Sequence, residues 1–428
     1  MKNKLNILTS YASIGSSVAL GYILLFLISK YDSISSYGIF ILLKSTSGLL
    51  SGILSFRTGE SVTKYYSGFL VSGKRDEAKT VVVIGVGFDV ILACIAFGCS
   101  YLIYLNNLTI YINDDIPVDL FLIFSLTSVF YLMRGSAIGY LQGKEKILVM
   151  NIINIIESLL IMSLSLLYVF VVGNINIGDI VYIHVFSYGI AFILYAFFLV
   201  YYYNIEFSGD KLVLNKELIR DYIRFSLAVF SSSTLKAINR NVDNIVIGAV
   251  LSTGAVGVYQ AIKKLFSVIE IVAQPWTALV YAKLNKLYVS GLVCGFKELI
   301  IQTTIKIFIV SFIIGISLLY FMEDILLSME VDSDSNLFSI ALIFFFGYLV
   351  AAASWWARVF SNVVNPMISV KANLASTIYM FTFLPILSFV MGMYGVALSF
   401  LILNVSIFIY ITVNFTNINK EEIVVNTV

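Results

Sequence analysis

Residues 147–172 read ILVMNIINIIESLLIMSLSLLYVFVV. A helix needs about 20 apolar residues to cross a bilayer core of about 30 Å, and this run supplies them without a break. It carries one carboxylate, Glu157, midway along, and no basic residue. Runs of the same kind recur along the chain, at roughly 8–29, 37–57, 81–105, 118–142, 180–203, 225–251, 257–282, 300–322, 336–357, 372–391 and 394–415. With 147–172 they make twelve expected spans. Membrane barrels show shorter, alternating segments of about ten residues, which these are not. The whole composition agrees. Of 428 residues, 60% are hydrophobic and only 12% charged, with a mean hydropathy of +0.95. Soluble domains carry about twice that share of charge, so a soluble enzyme, a nucleic-acid binder and a disordered scaffold are excluded. The first run follows Lys2 and Lys4 as a signal peptide would. It is longer than a signal's apolar core of 7–15 residues and lacks a small-residue cleavage site, so it reads as the first span.

Other counts narrow the chemistry. There is one histidine, His184, and three cysteines, Cys94, Cys99 and Cys294. A zinc site draws four ligands from such residues, so no metal and no other cofactor is expected, and the cysteines read as small buried hydrophobes. The chain contains no G-x-x-x-x-G-K-[ST] phosphate loop, and its longest polar stretches are about twenty residues, too short for a separate soluble domain. Any driving force must be an ion gradient or the substrate's own.

Basic residues set the orientation. With the N-terminus in the cytoplasm, 19 of the 27 basic residues fall in cytoplasmic segments and only Lys30 in a loop on the other side. The opposite loops are acidic, with Asp114, Asp115 and Asp119, then Glu323, Asp324, Glu330, Asp332 and Asp334. Both termini are therefore expected in the cytoplasm.

The chain also repeats itself. Gly38-Ile-Phe40 matches Gly257-Val-Tyr259 at an offset of 219, where Lys44 meets Lys263 and Lys64 meets Lys283. Leu70-Val-Ser-Gly73 meets Tyr288-Val-Ser-Gly291 one residue out of register, and Arg134 and Arg358 end the fourth and tenth spans. The expected architecture is an all-α integral membrane protein of about twelve transmembrane helices, in two pseudo-symmetric six-helix lobes around a central cavity. The lobes are residues 1–204 and 225–428, joined by a cytoplasmic linker, 205–224. Parallel repeats of this kind place substrate between the halves at mid-depth.

A charge near the bilayer centre costs at least about 2.5–3.5 kcal/mol and usually faces a bundle interior or a wet cavity. Seven basic residues lie in expected spans: Lys44, Arg134, Lys236, Arg240, Lys263, Lys264 and Lys306. Lys306 and Glu60 sit near ends, and Glu60 is spaced for an i,i+4 pair with Lys64. In the seventh span Lys236, Arg240 and Asp243 share one face, flanked by Asn239 and Asn244; in the eighth, Lys263, Ser267, Glu270 and Gln274 do. Both stripes are expected to line one cavity. A salt-bridge network pinning the two helices is the alternative, but the cations outnumber the carboxylates. A buried positive surplus needs an anion, and Lys and Arg together suit a pyrophosphate or an acidic sugar. Glu157, Asp89, Asp243 and Glu270 are the candidate carboxylates for ion coupling. For Asp89, a structural bond or a helix cap is the competing reading. Pro275 and Pro385 are candidate kinks. Trp355 and Trp356 are expected to anchor the tenth span at the membrane interface, with sugar stacking as the alternative.

Asn241-Val-Asp-Asn-Ile-Val-Ile-Gly248, followed by Gly257-Val-Tyr259, resembles the seventh-helix signature of polysaccharide exporters. Arg134-Gly135 leading to Gly139-Tyr-Leu-Gln-Gly143-Lys-Glu does likewise. With its twelve spans the chain resembles the Wzx-type O-antigen flippases of the multidrug/oligosaccharidyl-lipid/polysaccharide exporter superfamily. The resemblance implies a bacterial inner-membrane protein that moves an undecaprenyl-pyrophosphate-linked oligosaccharide from the cytoplasmic to the periplasmic leaflet by alternating access. It also implies coupling to a proton or sodium gradient and contact with polysaccharide polymerase machinery. The multidrug branch often has a carboxylate in the first helix, and residues 8–29 have none. The murein-precursor flippases usually have two further helices, for which no runs remain here.

Three functions stay in competition. A flippase needs the cationic cavity. A membrane-embedded polymerase or ligase needs sizeable periplasmic loops, and here they are short and acidic. A multidrug antiporter needs a site for cations.

Overall fold

The computed structural model describes residues 2–113, 115–213, 215–271, 280, 283–284, 286–288, 290–328, 337–357, 360 and 366–416. Among them all regular structure is helical. The elements are α1 (Lys2–Tyr31), α2 (Ile34–Leu54), α3 (Thr58–Val71), α4 (Arg75–Leu105), α5 (Val118–Met133), α6 (Gly135–Gly143), α7 (Ile147–Val172), α8 (Ile177–Glu206), α9 (Lys216–Val250), α10 (Thr253–Ile271), α11 (Val293–Leu327), α12 (Leu337–Ala353) and α13 (Pro366–Thr416), with a short 3-10 turn at Leu108–Tyr111. Each expected span falls on helix over most of its length. The eighth does so as far as Ile271; beyond it, Gln274 and Pro275 lie outside the described residues, as do Arg358 and the acidic loop positions Asp114, Glu330, Asp332 and Asp334. Among the described residues eight helices are long and apolar enough to cross a membrane. Large apolar side chains stand out from them, such as Phe170 at 88% and Phe389 at 82% exposure. Only lipid solvates such a surface without penalty, so the chain is a multi-pass membrane protein.

By packing, the chain divides into two compact units, Met1–Ile245 and Val246–Val428. The helix of the seventh span, α9, thus belongs largely with the first unit, and it begins at Lys216, inside the stretch read as a linker.

In the first unit, small and hydroxyl residues hold the helices together, as they do where apolar burial gives no advantage over lipid. On α2, Ser47 Oγ lies 2.9 Å from Thr127 Oγ1 of α5, and Ser128 Oγ donates to the Ser47 carbonyl at 3.0 Å. On α7, Asn151 donates to Thr9 and Ser10 of α1 at 3.1 and 2.9 Å. Two helices are interrupted. Between α2 and α3, Phe56 and Arg57 sit at φ of 39° and 50°, a conformation that costs a non-glycine residue energy and clusters at functional sites. Between α5 and α6 the chain turns at Arg134. The resulting short helices α3 and α6 cross where Gly139 meets Gly59; a Cβ on Gly139 would stand 2.2 Å from the Gly59 carbonyl oxygen. Thr63 Oγ1 closes that crossing with a 2.9 Å bond to the Gly139 carbonyl. Beyond it, Tyr66, Tyr140 and Lys144 all donate to the Glu206 carboxylate, at 2.8, 2.6 and 2.9 Å, tying α3 and α6 to the end of α8.

The second unit repeats a packing motif of the first. Phe40 of α2 lies edge-on to Phe124 of α5 at 5.9 Å, and Phe124 packs on His184 of α8 at 6.0 Å. Tyr259 of α10 packs on Phe344 of α12 at 5.7 Å, and Phe344 on Phe400 of α13 at 5.3 Å. The offsets between corresponding rings are 219, 220 and 216 residues. In both units the second, fourth and sixth spans meet at a ring triad. The long helix α13 continues through Pro385 and breaks at Gly392, whose φ of 57° and ψ of −137° are open only to glycine.

Three expectations need correction. Glu60 pairs with Arg57 at 2.9 Å, not with Lys64; the Lys64 ammonium lies 3.7 Å over the Phe225 ring instead. Cys94 and Cys294 are exposed rather than buried, because their faces of α4 and α11 look outward. Trp355 and Trp356 are 7% and 4% exposed. Trp355 donates to Thr304 at 3.0 Å and Trp356 packs on Phe415 at 4.8 Å, so both are core residues rather than interface anchors.

Candidate functional site

Between α2, α5, α8 and the middle of α9, all within the first unit, lies a cavity of about 320 Å³. The α2 sequence explains how it forms. Ser47-Gly48, Ser51-Gly52 and Ser55 recur every four residues, so one face of the helix carries only small side chains. Gly48 and Gly52 let α9 come close: a Cβ at Gly52 would stand 2.3 Å from the Ala237 Cβ, and one at Gly48 would stand 2.9 Å from Asn241 Oδ1. Asn244 adds a 2.8 Å bond to Ser45 Oγ. The small face leaves open volume beside it, and long cationic side chains reach into that volume.

Four cations line the cavity: Lys44 from α2, Lys236 and Arg240 from α9, and Arg57 from the α2–α3 break. Among the described residues no carboxylate lines it. Lys44, Lys236 and Arg240 are solvent-exposed although they stand on membrane-spanning stretches, and among the described residues they form no ion pair. Charges this deep persist where water reaches them. Hydroxyls of Ser47, Ser51, Thr127 and Ser128 share the lining. Cations beside hydroxyl donors suit an anion with several oxygens. A second cavity of about 270 Å³ adjoins the first, sharing Ser55, Arg57 and Tyr131 with it and adding Glu60 and Gln142.

The structure divides the other expected site residues. Arg134 does not line the main cavity. Its Nη1 donates to Glu157 Oε2 at 2.5 Å, in a pair whose side chains are only 9% and 13% exposed. The guanidinium carbon lies 5.1, 5.3 and 5.9 Å from the ring centres of Tyr131, Tyr188 and Tyr195. Asp89 is buried: one carboxylate oxygen accepts from Thr58 Oγ1 at 2.5 Å and the other from the Ser136 amide at 2.6 Å. It caps the N-terminus of α6, where the helix dipole favours negative charge. Asp243 is buried one turn beyond Arg240. Lys263, Lys264 and Glu270 belong to the second unit and are not among the cavity's lining residues. Lys263 lies 5.0 Å over the Tyr259 ring, its backbone carbonyl accepting from Tyr348 at 3.0 Å.

Arg57 is the functional candidate that sequence reasoning passed over. At the end of an apolar run it reads as a loop cation. The Gly48-x-x-x-Gly52 spacing was the available signal, since small residues four apart mark close helix contact in membranes. His184 is buried in the cavity wall, its Nδ1 3.0 Å from the Ile180 carbonyl.

Solved structures share this fold. An inward-facing multidrug resistance MATE family transporter of the MOP superfamily superposes with a TM-score of 0.71 at 12% identity, covering 94% of each chain. The lipid II flippase MurJ, in an inward closed conformation, gives 0.65 at 15% identity, over 98% of this chain and 89% of its own. A MOP superfamily transporter from Pyrococcus furiosus, described as having a binding pocket of reverse polarity, gives 0.56 at 11% identity, over 96% and 94%. No curated protein sequence matches. The family model for polysaccharide biosynthesis proteins matches residues 4–281, so the chain, with its fold of a multi-span membrane transporter, belongs to the polysaccharide biosynthesis protein family.

Proposed function

We propose that this protein is a flippase. It carries an undecaprenyl-pyrophosphate-linked oligosaccharide, an O-antigen-type repeat unit, from the cytoplasmic to the periplasmic leaflet of a bacterial inner membrane. One observation carries the reading: Lys44, Lys236 and Arg240 enter a membrane-embedded cavity that, among the described residues, no carboxylate lines. A pyrophosphate supplies the anion such a cavity requires, whereas a cationic drug would be repelled. Membership of the polysaccharide biosynthesis family supports the class of cargo. MurJ, a lipid II flippase of the same fold, supports the lipid carrier by analogy of fold. In this reading both termini are cytoplasmic, the lobes 1–204 and 225–428 open alternately, and a proton or sodium gradient drives the cycle. Lys263 and Lys264 meet the head group in another state of that cycle. Asp243 and Glu270, and Glu157 and Asp89 once released from the partners that hold them, are the candidates for coupling.

The test is complementation of a deletion strain. Arg240→Ala and Lys236→Ala should each reduce surface polysaccharide at least about tenfold, the cost of one charge-assisted bond, with protein still in the membrane. The deletion strain should accumulate single repeat units on the cytoplasmic leaflet. Normal export by both variants would reject the cavity assignment. Drug hypersensitivity of the deletion strain with normal polysaccharide would favour a multidrug antiporter.

A further inference from the structure

The lining of the cavity is chemically divided, and only part of it is accounted for by an anion. The cations come from α2, the α2–α3 break and α9; the aromatic rings Phe124, Tyr131 and Tyr188 come from α5 and α8. Tyr131 is 44% exposed and borders both cavities. Neither tyrosine is loose. The Arg134 guanidinium covers one face of each ring, at 5.1 and 5.3 Å, and Glu157 fixes that guanidinium through the 2.5 Å ion pair. The pair is neutral as a whole, so it does not compete with Lys44, Lys236 and Arg240 for a phosphate.

The geometry points to a saccharide subsite on Tyr131 and Tyr188, deepening and resting on the flippase reading. An aromatic face carries negative charge density and attracts the weakly positive C–H face of a sugar ring. The neutral aromatic wall would take the first sugar of the repeat unit while the cations hold the pyrophosphate. Arg134 is a positioning residue here: braced by Glu157, it holds both rings at fixed tilt, so little side-chain freedom is lost when a sugar stacks.

The experiment uses the full-length protein in lipid nanodiscs and two probes. One is undecaprenyl pyrophosphate; the other is the lipid-linked oligosaccharide extracted from the deletion strain. The quantity read is the ratio of the two affinities within each variant, which a general loss of folded protein does not move. Tyr188→Leu and Tyr131→Leu should each lower the oligosaccharide-to-pyrophosphate ratio about tenfold, the size of a good aromatic contact. Tyr188→Phe and Tyr131→Phe, which keep the ring, should stay within about twofold of the wild-type ratio. Arg240→Ala should weaken both probes together. An unchanged ratio in the Leu variants, or an equal loss for both probes, overturns the saccharide subsite. Wild-type binding of both probes by Arg240→Ala would instead overturn the anion reading, and the tyrosine ratios would still be readable.

Discussion

Arg134 and Glu157 show how far a residue's meaning depends on its neighbours. From the sequence each is a charge inside an apolar run. In the structure they satisfy one another within a cage of tyrosines. Breaking a buried pair by removing one partner leaves an uncompensated charge and costs about 3–5 kcal/mol. Arg134→Leu and Glu157→Leu should each lower the thermal stability of the detergent-solubilised protein markedly. The double variant should recover most of the loss, because apolar replacements of both partners are often neutral. Additive losses in the double variant would show that the two side chains do not act as a pair. Asp89 follows the same logic: its two bonds, to Thr58 and to the Ser136 amide, are those of a helix cap, the competing reading that its sequence context offered.

At the scale of elements, glycine spacing controls which helices touch. The motif Gly139-Tyr-Leu-Gln-Gly143 resembles a family signature, and the structure gives it a physical role. Gly139 abuts the backbone of Gly59, and a Cβ at Gly143 would stand 2.6 Å from the Tyr66 ring. Gly139→Ala cannot be accommodated by turning a side chain, because the obstacle is a carbonyl oxygen. Overpacking of this kind costs about 1–3 kcal/mol. It should separate α3 from α6, loosen the Tyr66 and Tyr140 bonds to Glu206, and lower the melting temperature. Gly68→Ala should not, because nothing lies within 4 Å of a Cβ there. Equal melting temperatures for the two variants would refute the crossing. The α2 face works in the opposite sense: its small residues hold α9 close at Gly48 and Gly52 and leave volume where Lys44 projects.

At the scale of the whole molecule, the charge bias of the loops makes a prediction about sidedness. In a background with Cys94, Cys99 and Cys294 replaced, Asp115→Cys should react in intact spheroplasts with a membrane-impermeant maleimide, and Glu145→Cys only after lysis. The reverse pattern would invert the orientation. The sequence by itself determined the helical, membrane-spanning class and the apolar runs that form its long helices. Those follow from the one-dimensional run of apolar residues, and the bilayer allows only a helix to such a run. It also marked Lys44, Lys236 and Arg240 as costly charges that needed a wet cavity. Only the tertiary structure decided which charges stayed free to bind and which were cancelled. Arg134 and Lys44 look alike in one dimension, but Arg134 meets a carboxylate from another helix and Lys44 meets open volume. That difference arises between residues far apart in the chain, where helix crossing, not spacing along the sequence, sets which charge meets which partner.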